Sequence, residues 1–79
     1  MKTRKRALGN ANVIGANVEK LRRERKIAQK DFVAKIQLLG VDINPTSYSK
    51  LEGQVRMASD REVYAIAKAL GVEIDKLFN

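Results

Sequence analysis

At 79 residues the chain has room for one small domain, and 44% hydrophobic content fills a single core without the deep cleft and cofactor fold of most enzymes. It contains no cysteine and no histidine, which removes disulfides, the two commonest transition-metal ligand types, and nucleophilic catalysis of the Ser-His or Cys-His kind. The net charge of +7 is uneven: residues 1–30 hold ten Lys/Arg against two Glu, the remainder six basic against seven acidic, so the excess points to a polyanion partner such as nucleic acid.

No enzyme activity, metal, cofactor or small-molecule ligand is expected. No apolar run approaches the roughly 20 residues that span a bilayer, and Ala7-Leu8-Gly9 gives the basic N-terminus no signal-peptide core, so the expectation is a cytoplasmic protein without a membrane partner.

Residues 1–12 lack periodicity, place Lys2, Arg4, Lys5 and Arg6 in the first six positions, and break at Gly9-Asn10. They read as a flexible basic arm, either a solubilising tail or an arm that touches phosphate or the minor groove. The domain itself is assigned to residues 13–79. Its first helix fits residues 13–25, with Ile14, Val18 and Leu21 inward and Asn12 or Asn10 as N-cap. The cations from Lys20 to Lys26 read mainly as a wet face that complements the helix dipole.

A second helix is predicted from Gln29, with Phe32, Val33, Ile36 and Leu39 on its apolar face and Gly40 just past its end. Val41 and Ile43 tuck beneath the connection. Asn44 then caps a third helix, which has Pro45 at its first position, runs to about Glu52 and stops at Gly53. Tyr48 and Leu51 face inward, leaving Thr46, Ser47, Ser49 and Lys50 as a low polar surface suited to a groove. Arg56 follows in a loop and is counted among the candidate DNA-binding residues. Ser59-Asp60-Arg61-Glu62 matches a capping box that opens a fourth helix with Val63, Ile66, Ala67 and Leu70 inward and Gly71 at its end. Val72, Ile74, Leu77 and Phe78 form a short fifth apolar element. The fold class is therefore all-α, with a helix-turn-helix over residues 29–53.

The chain resembles the Cro and phage-repressor type of helix-turn-helix proteins, the Xre-like class, over residues 14–78. The resemblance is carried by Ile14-Gly15, Val18 and Leu21-Arg22, by Gln29, by Tyr48-Ser49-Lys50-Leu51-Glu52, and by Ile66-Ala67-Lys68-Ala69-Leu70-Gly71-Val72 ahead of Asp75-Lys76-Leu77-Phe78. It implies a five-helix lambda-repressor-like DNA-binding domain, bacterial or phage-encoded, that represses or otherwise regulates transcription as a homodimer on double-stranded DNA. Carried over to matching positions, it implies base-edge or nearby contacts from Pro45, Thr46, Ser47, Ser49 and Lys50, phosphate positioning by Gln29, and a structural hydrogen bond rather than readout for Glu52.

Three positions depart from the pattern. Lys26 stands where relatives usually have glycine, Ala28 where they have serine or threonine, and Pro45 where many place a hydrogen-bonding side chain; the connection before Asn44 is also longer than in compact members. A protein-interaction module of the same fold, such as an antitoxin or antirepressor component, is the competing function, motivated by the apolar end Ile74, Leu77 and Phe78. RNA binding is less favoured, because Phe32 and Tyr48 are assigned to the core and leave no stacking platform.

Overall fold

The computed structural model describes residues 10–79, so Lys2, Arg4, Lys5 and Arg6 of the basic arm lie outside the described residues. Four α-helices follow in order, α1 (Gly15–Glu24), α2 (Gln29–Leu38), α3 (Pro45–Glu52) and α4 (Asp60–Leu70), and a 3-10 turn (Ile74–Phe78) ends the chain. The described residues contain no strand. The expected fifth helix is this 3-10 turn, in which five residues leave room for little more than the burial of Leu77. Ile74 and Phe78, expected to share the apolar face, remain 42% and 53% exposed.

The local chemistry sets each boundary. Asn44 takes an extended conformation and accepts the Ser47 N–H on its side chain at 2.7 Å, while Pro45 occupies a first-turn position where no N–H is needed. Ser59 and Glu62 satisfy each other's backbone N–H groups as a capping box, and Gly71, at φ 74°, supplies the left-handed residue that ends α4. Ala28 caps α2 with no side-chain bond.

The first helix starts two residues later than its apolar spacing suggests, at Gly15, and Asn12 is the reason. Its Oδ1 accepts the N–H groups of Ile14 and Gly15 at 3.1 and 2.8 Å, ahead of the formal cap position. Its Nδ2 donates to the carbonyls of Leu51 and Arg56 at 3.0 and 2.9 Å, which ties the start of α1 to the end of α3. Ala11 N–H adds a bond to the Gln54 carbonyl at 3.0 Å, so the last two positions assigned to the arm are anchored on the domain. Gly15 permits this approach: a Cβ there would stand 2.4 Å from the Leu51 carbonyl oxygen and 2.8 Å from that of Glu52.

One core joins the helices. Ile14 and Val18 of α1, Phe32, Val33 and Ile36 of α2, Tyr48 and Leu51 of α3, and Ile66 and Leu70 of α4 are buried together with Leu77. Phe32 and Tyr48 meet edge-to-face with ring centroids 5.6 Å apart, which fixes α3 on α2. Two expectations about faces fail. Leu39 follows the last helical residue of α2, its backbone has left the helical course, and it is 46% exposed. Arg22, expected on the wet cationic face, is buried at 7% exposure, because it continues the inward row of Ile14 and Val18 at i, i+4 and i+8.

Candidate nucleic-acid interface

Helices α2 and α3 are joined by residues 39–44, a longer connection than the three or four residues of a compact helix-turn-helix. It is nevertheless held at both ends. Gly40, at φ 93°, turns the chain out of α2, its N–H bonding the Gln37 carbonyl at 2.9 Å. Gln37 Nε2 donates to the Ile43 carbonyl at 2.7 Å and Ile43 is buried, so the start of α3 has a defined position. Val41 is half-buried against the same core.

Helix α3 divides into two faces. Tyr48, Leu51 and Glu52 are buried, whereas Pro45, Thr46, Ser49 and Lys50 are exposed and Ser47 lies at the boundary. Thr46, Ser49 and Lys50 stand at i, i+3 and i+4, one ridge of the helix. Among the described residues none of their side-chain groups is used in a hydrogen bond or ion pair, so two hydroxyls and one ammonium are available to a ligand.

The buried face holds an ionic cluster. Arg22 grips Glu52 with two donors, Nε at 2.7 Å and Nη2 at 3.2 Å, and donates through Nη1 to the Ile27 carbonyl at 2.7 Å. The Tyr48 hydroxyl and Gln29 Nε2 also donate to the Glu52 carboxylate, the latter at 3.0 Å. Every buried side-chain polar atom among the described residues has a partner, as a buried ion pair requires if it is not to destabilise. Burial and then the Glu52 charge push the Tyr48 hydroxyl far above its ordinary range, so it stays a donor. The hydrogen bonds that Arg22 itself donates to Glu52 raise its guanidinium above an already high value. One carboxylate thus ties together α1, the turn after it, the first residue of α2, and α3.

The expected site residues therefore separate. Pro45, Thr46, Ser49 and Lys50 share the exposed side of α3. Ser47 belongs partly to the fold, its N–H capped by Asn44 and its carbonyl accepting Arg56 Nε at 2.9 Å. Gln29 sits half-buried at the first position of α2, spends one Nε2 hydrogen on Glu52 and retains the other. Glu52 has the structural role expected of it. Arg56, assigned from sequence to DNA, is occupied instead: beyond Ser47 it donates to the Met57 carbonyl at 2.7 Å and pairs with both oxygens of Glu62 at 2.9 Å. This neutralises its charge and uses four of its five N–H groups. Burial opposes the ionised form of Glu62, but the Arg56 guanidinium and the Ser59 N–H outweigh it and hold this carboxyl below its usual range.

Sequence reasoning missed Arg22. The i+8 continuation of Ile14 and Val18 marked its inward direction, and Glu52 as a mid-chain carboxylate beside Leu51 marked its partner. No pattern in the sequence linked the two across 30 residues.

A family model described as the helix-turn-helix domain matches residues 15–79, from the first residue of α1 to the last of the chain. The chain belongs to the helix-turn-helix domain family. No curated protein and no solved structure gives a significant match. In this helix-turn-helix domain α2 and α3 form the pair, the ionic cluster fixes their angle from beneath, and the polar ridge of α3 is the surface they present. No helix among the described residues is long and apolar enough to cross a membrane.

Proposed function

We propose that the protein is a sequence-specific double-stranded DNA-binding transcriptional regulator of the Cro and phage-repressor, Xre-like type, acting as a repressor by occupying its operator and binding as a homodimer without enzymatic activity. The observation that carries this reading is the exposed ridge Thr46, Ser49 and Lys50, free of internal partners on a helix whose opposite face is locked by a buried ion pair. A helix of this kind fits the major groove of B-DNA, about 12 Å wide, where donors and acceptors differ for each base pair.

Lys50 is the side chain with the reach to approach guanine O6 and N7, a contact that discriminates by about 1–3 kcal/mol. Thr46 and Ser49 hydroxyls bond either donors or acceptors and tune rather than dictate the choice. Pro45 offers only apolar contact, as with a thymine methyl. Gln29, with one amide hydrogen left over, is placed at a helix N-terminus and suits a phosphate oxygen. The cations of the N-terminal arm add sequence-independent attraction.

Selection of binding sites from random DNA duplexes, followed by sequencing, tests the reading. Enrichment of a palindrome with half-sites about one helical turn apart is the expected result. Absence of any enriched sequence would favour the interaction-module reading.

A further inference from the structure

Between the turn after α2 and the N-terminal half of α4 lies an open groove of about 290 Å³, walled by Leu39, Val41, Arg61, Tyr64, Ala65 and Lys68. Its apolar walls are wet, with Leu39 46% and Tyr64 56% exposed, and the adjacent Leu38 is 88% exposed. Its charged side chains, Arg61 and Lys68, are both cations, and Lys68 Nζ stands 5.4 Å from the centre of the Tyr64 ring. An apolar floor with a cationic rim complements an apolar segment that carries carboxylates.

The 3-10 turn at the C-terminal end has that chemistry. It exposes Ile74 and Phe78 together with the carboxylates of Glu73 and Asp75, against one cation, Lys76. Side chains three apart eclipse in a 3-10 helix, so Asp75 and Phe78 share one face. Burial of Leu77, and the bond from Asn17 Nδ2 to the Leu77 carbonyl at 3.1 Å, hold the turn on its own chain, where none of its residues lines the groove. The basic N-terminal arm has the wrong sign to fill a groove rimmed by Arg61 and Lys68.

We propose that the groove receives the C-terminal turn of a second copy of this chain, with Phe78 against Leu39 and Tyr64 and with Asp75 facing Arg61. A two-fold axis makes the contact occur twice per dimer. The proposal rests on the reading above for the homodimer it completes, and its test contains no DNA, so its failure leaves DNA reading untouched.

Sedimentation equilibrium of the full chain over a roughly thousandfold concentration range measures the dimer directly. The expected result is a reversible dimer whose dissociation constant rises at least about tenfold in Arg61→Glu and in Asp75→Lys, and returns to within a few-fold of the unmodified value when the two are combined. Tyr64→Ala, which keeps every charge, is expected to weaken the dimer comparably. The Arg61 and Asp75 side chains are exposed and make no hydrogen bond among the described residues, and circular dichroism melts confirm that each variant is folded. A monomer at every concentration would overturn the proposal and leave the groove to an acidic segment of another protein. A dimer indifferent to Arg61→Glu, Asp75→Lys and Tyr64→Ala, or a double variant no tighter than either single charge reversal, would overturn it equally.

Discussion

Lys26 is held at φ 56°, in the left-handed region that suits glycine and strains a residue with a Cβ. The glycine that the resemblance leads one to expect there would have a backbone cause, and this chain carries a strain worth roughly 1–2 kcal/mol. Lys26→Gly is expected to raise stability in urea unfolding by about 0.5–1 kcal/mol, the relief of strain less the larger entropy of a glycine in the unfolded chain. Gln54, at φ 62°, has the same backbone problem, but its Nε2 donates to the Asn12 carbonyl at 2.9 Å, so Gln54→Gly gains nothing. Glu62 provides a pH signature. Its carboxyl lies below its ordinary value of 4.5 in the folded chain, so the stability it contributes is complete above that pH and is lost as pH falls through the lower folded value. Glu62→Gln is therefore expected to be less stable than the parent near neutrality and to converge with it in acid, as thermal melts across pH would record; a constant difference would contradict the Arg56–Glu62 account.

At the scale of elements, the buried cluster ties α3 to α1 and α2. Removing Glu52 leaves Arg22 buried with an uncompensated charge, so Glu52→Ala is expected to cost about 3–5 kcal/mol. A double-mutant cycle with Arg22→Met, measured by urea unfolding, should show the two positions coupled by more than about 1 kcal/mol; independent losses would mean that the pair does not act as a unit. Local signals in the sequence place the elements well, since Asn44-Pro45, Gly40, Gly71 and the Ser59–Glu62 box act through neighbours in the chain. They fail where the cause is distant. Asn12 serves α3 as well as α1, and Gly15 is required by the carbonyls of Leu51 and Glu52. Arg56 looked available because its partner Glu62 was already accounted for by the capping box, which leaves this carboxylate able to accept from both Ser59 and Arg56. The exposed ridge of α3 was legible from spacing alone, because burying Tyr48 and Leu51 fixes what the other side must be.

Across the whole molecule, charge and shape divide the work. Under the proposed function, the excess of cations in residues 1–30 supplies attraction that every DNA sequence shares, and α3 supplies the difference between sequences. If about six phosphates are neutralised, the log–log dependence of affinity on salt has a slope near −5. Base reading should be a small increment on that background, carried mainly by Lys50. The most direct measurement of this division is the affinity of the parent and of Lys50→Ala for a selected operator and for each of its single base-pair variants, at fixed salt. The account predicts that Lys50→Ala lowers operator affinity by about 1–3 kcal/mol and flattens discrimination at one base pair per half-site, leaving the other positions ranked as before. Equal loss on every sequence, with the preferences of the parent intact, would contradict it.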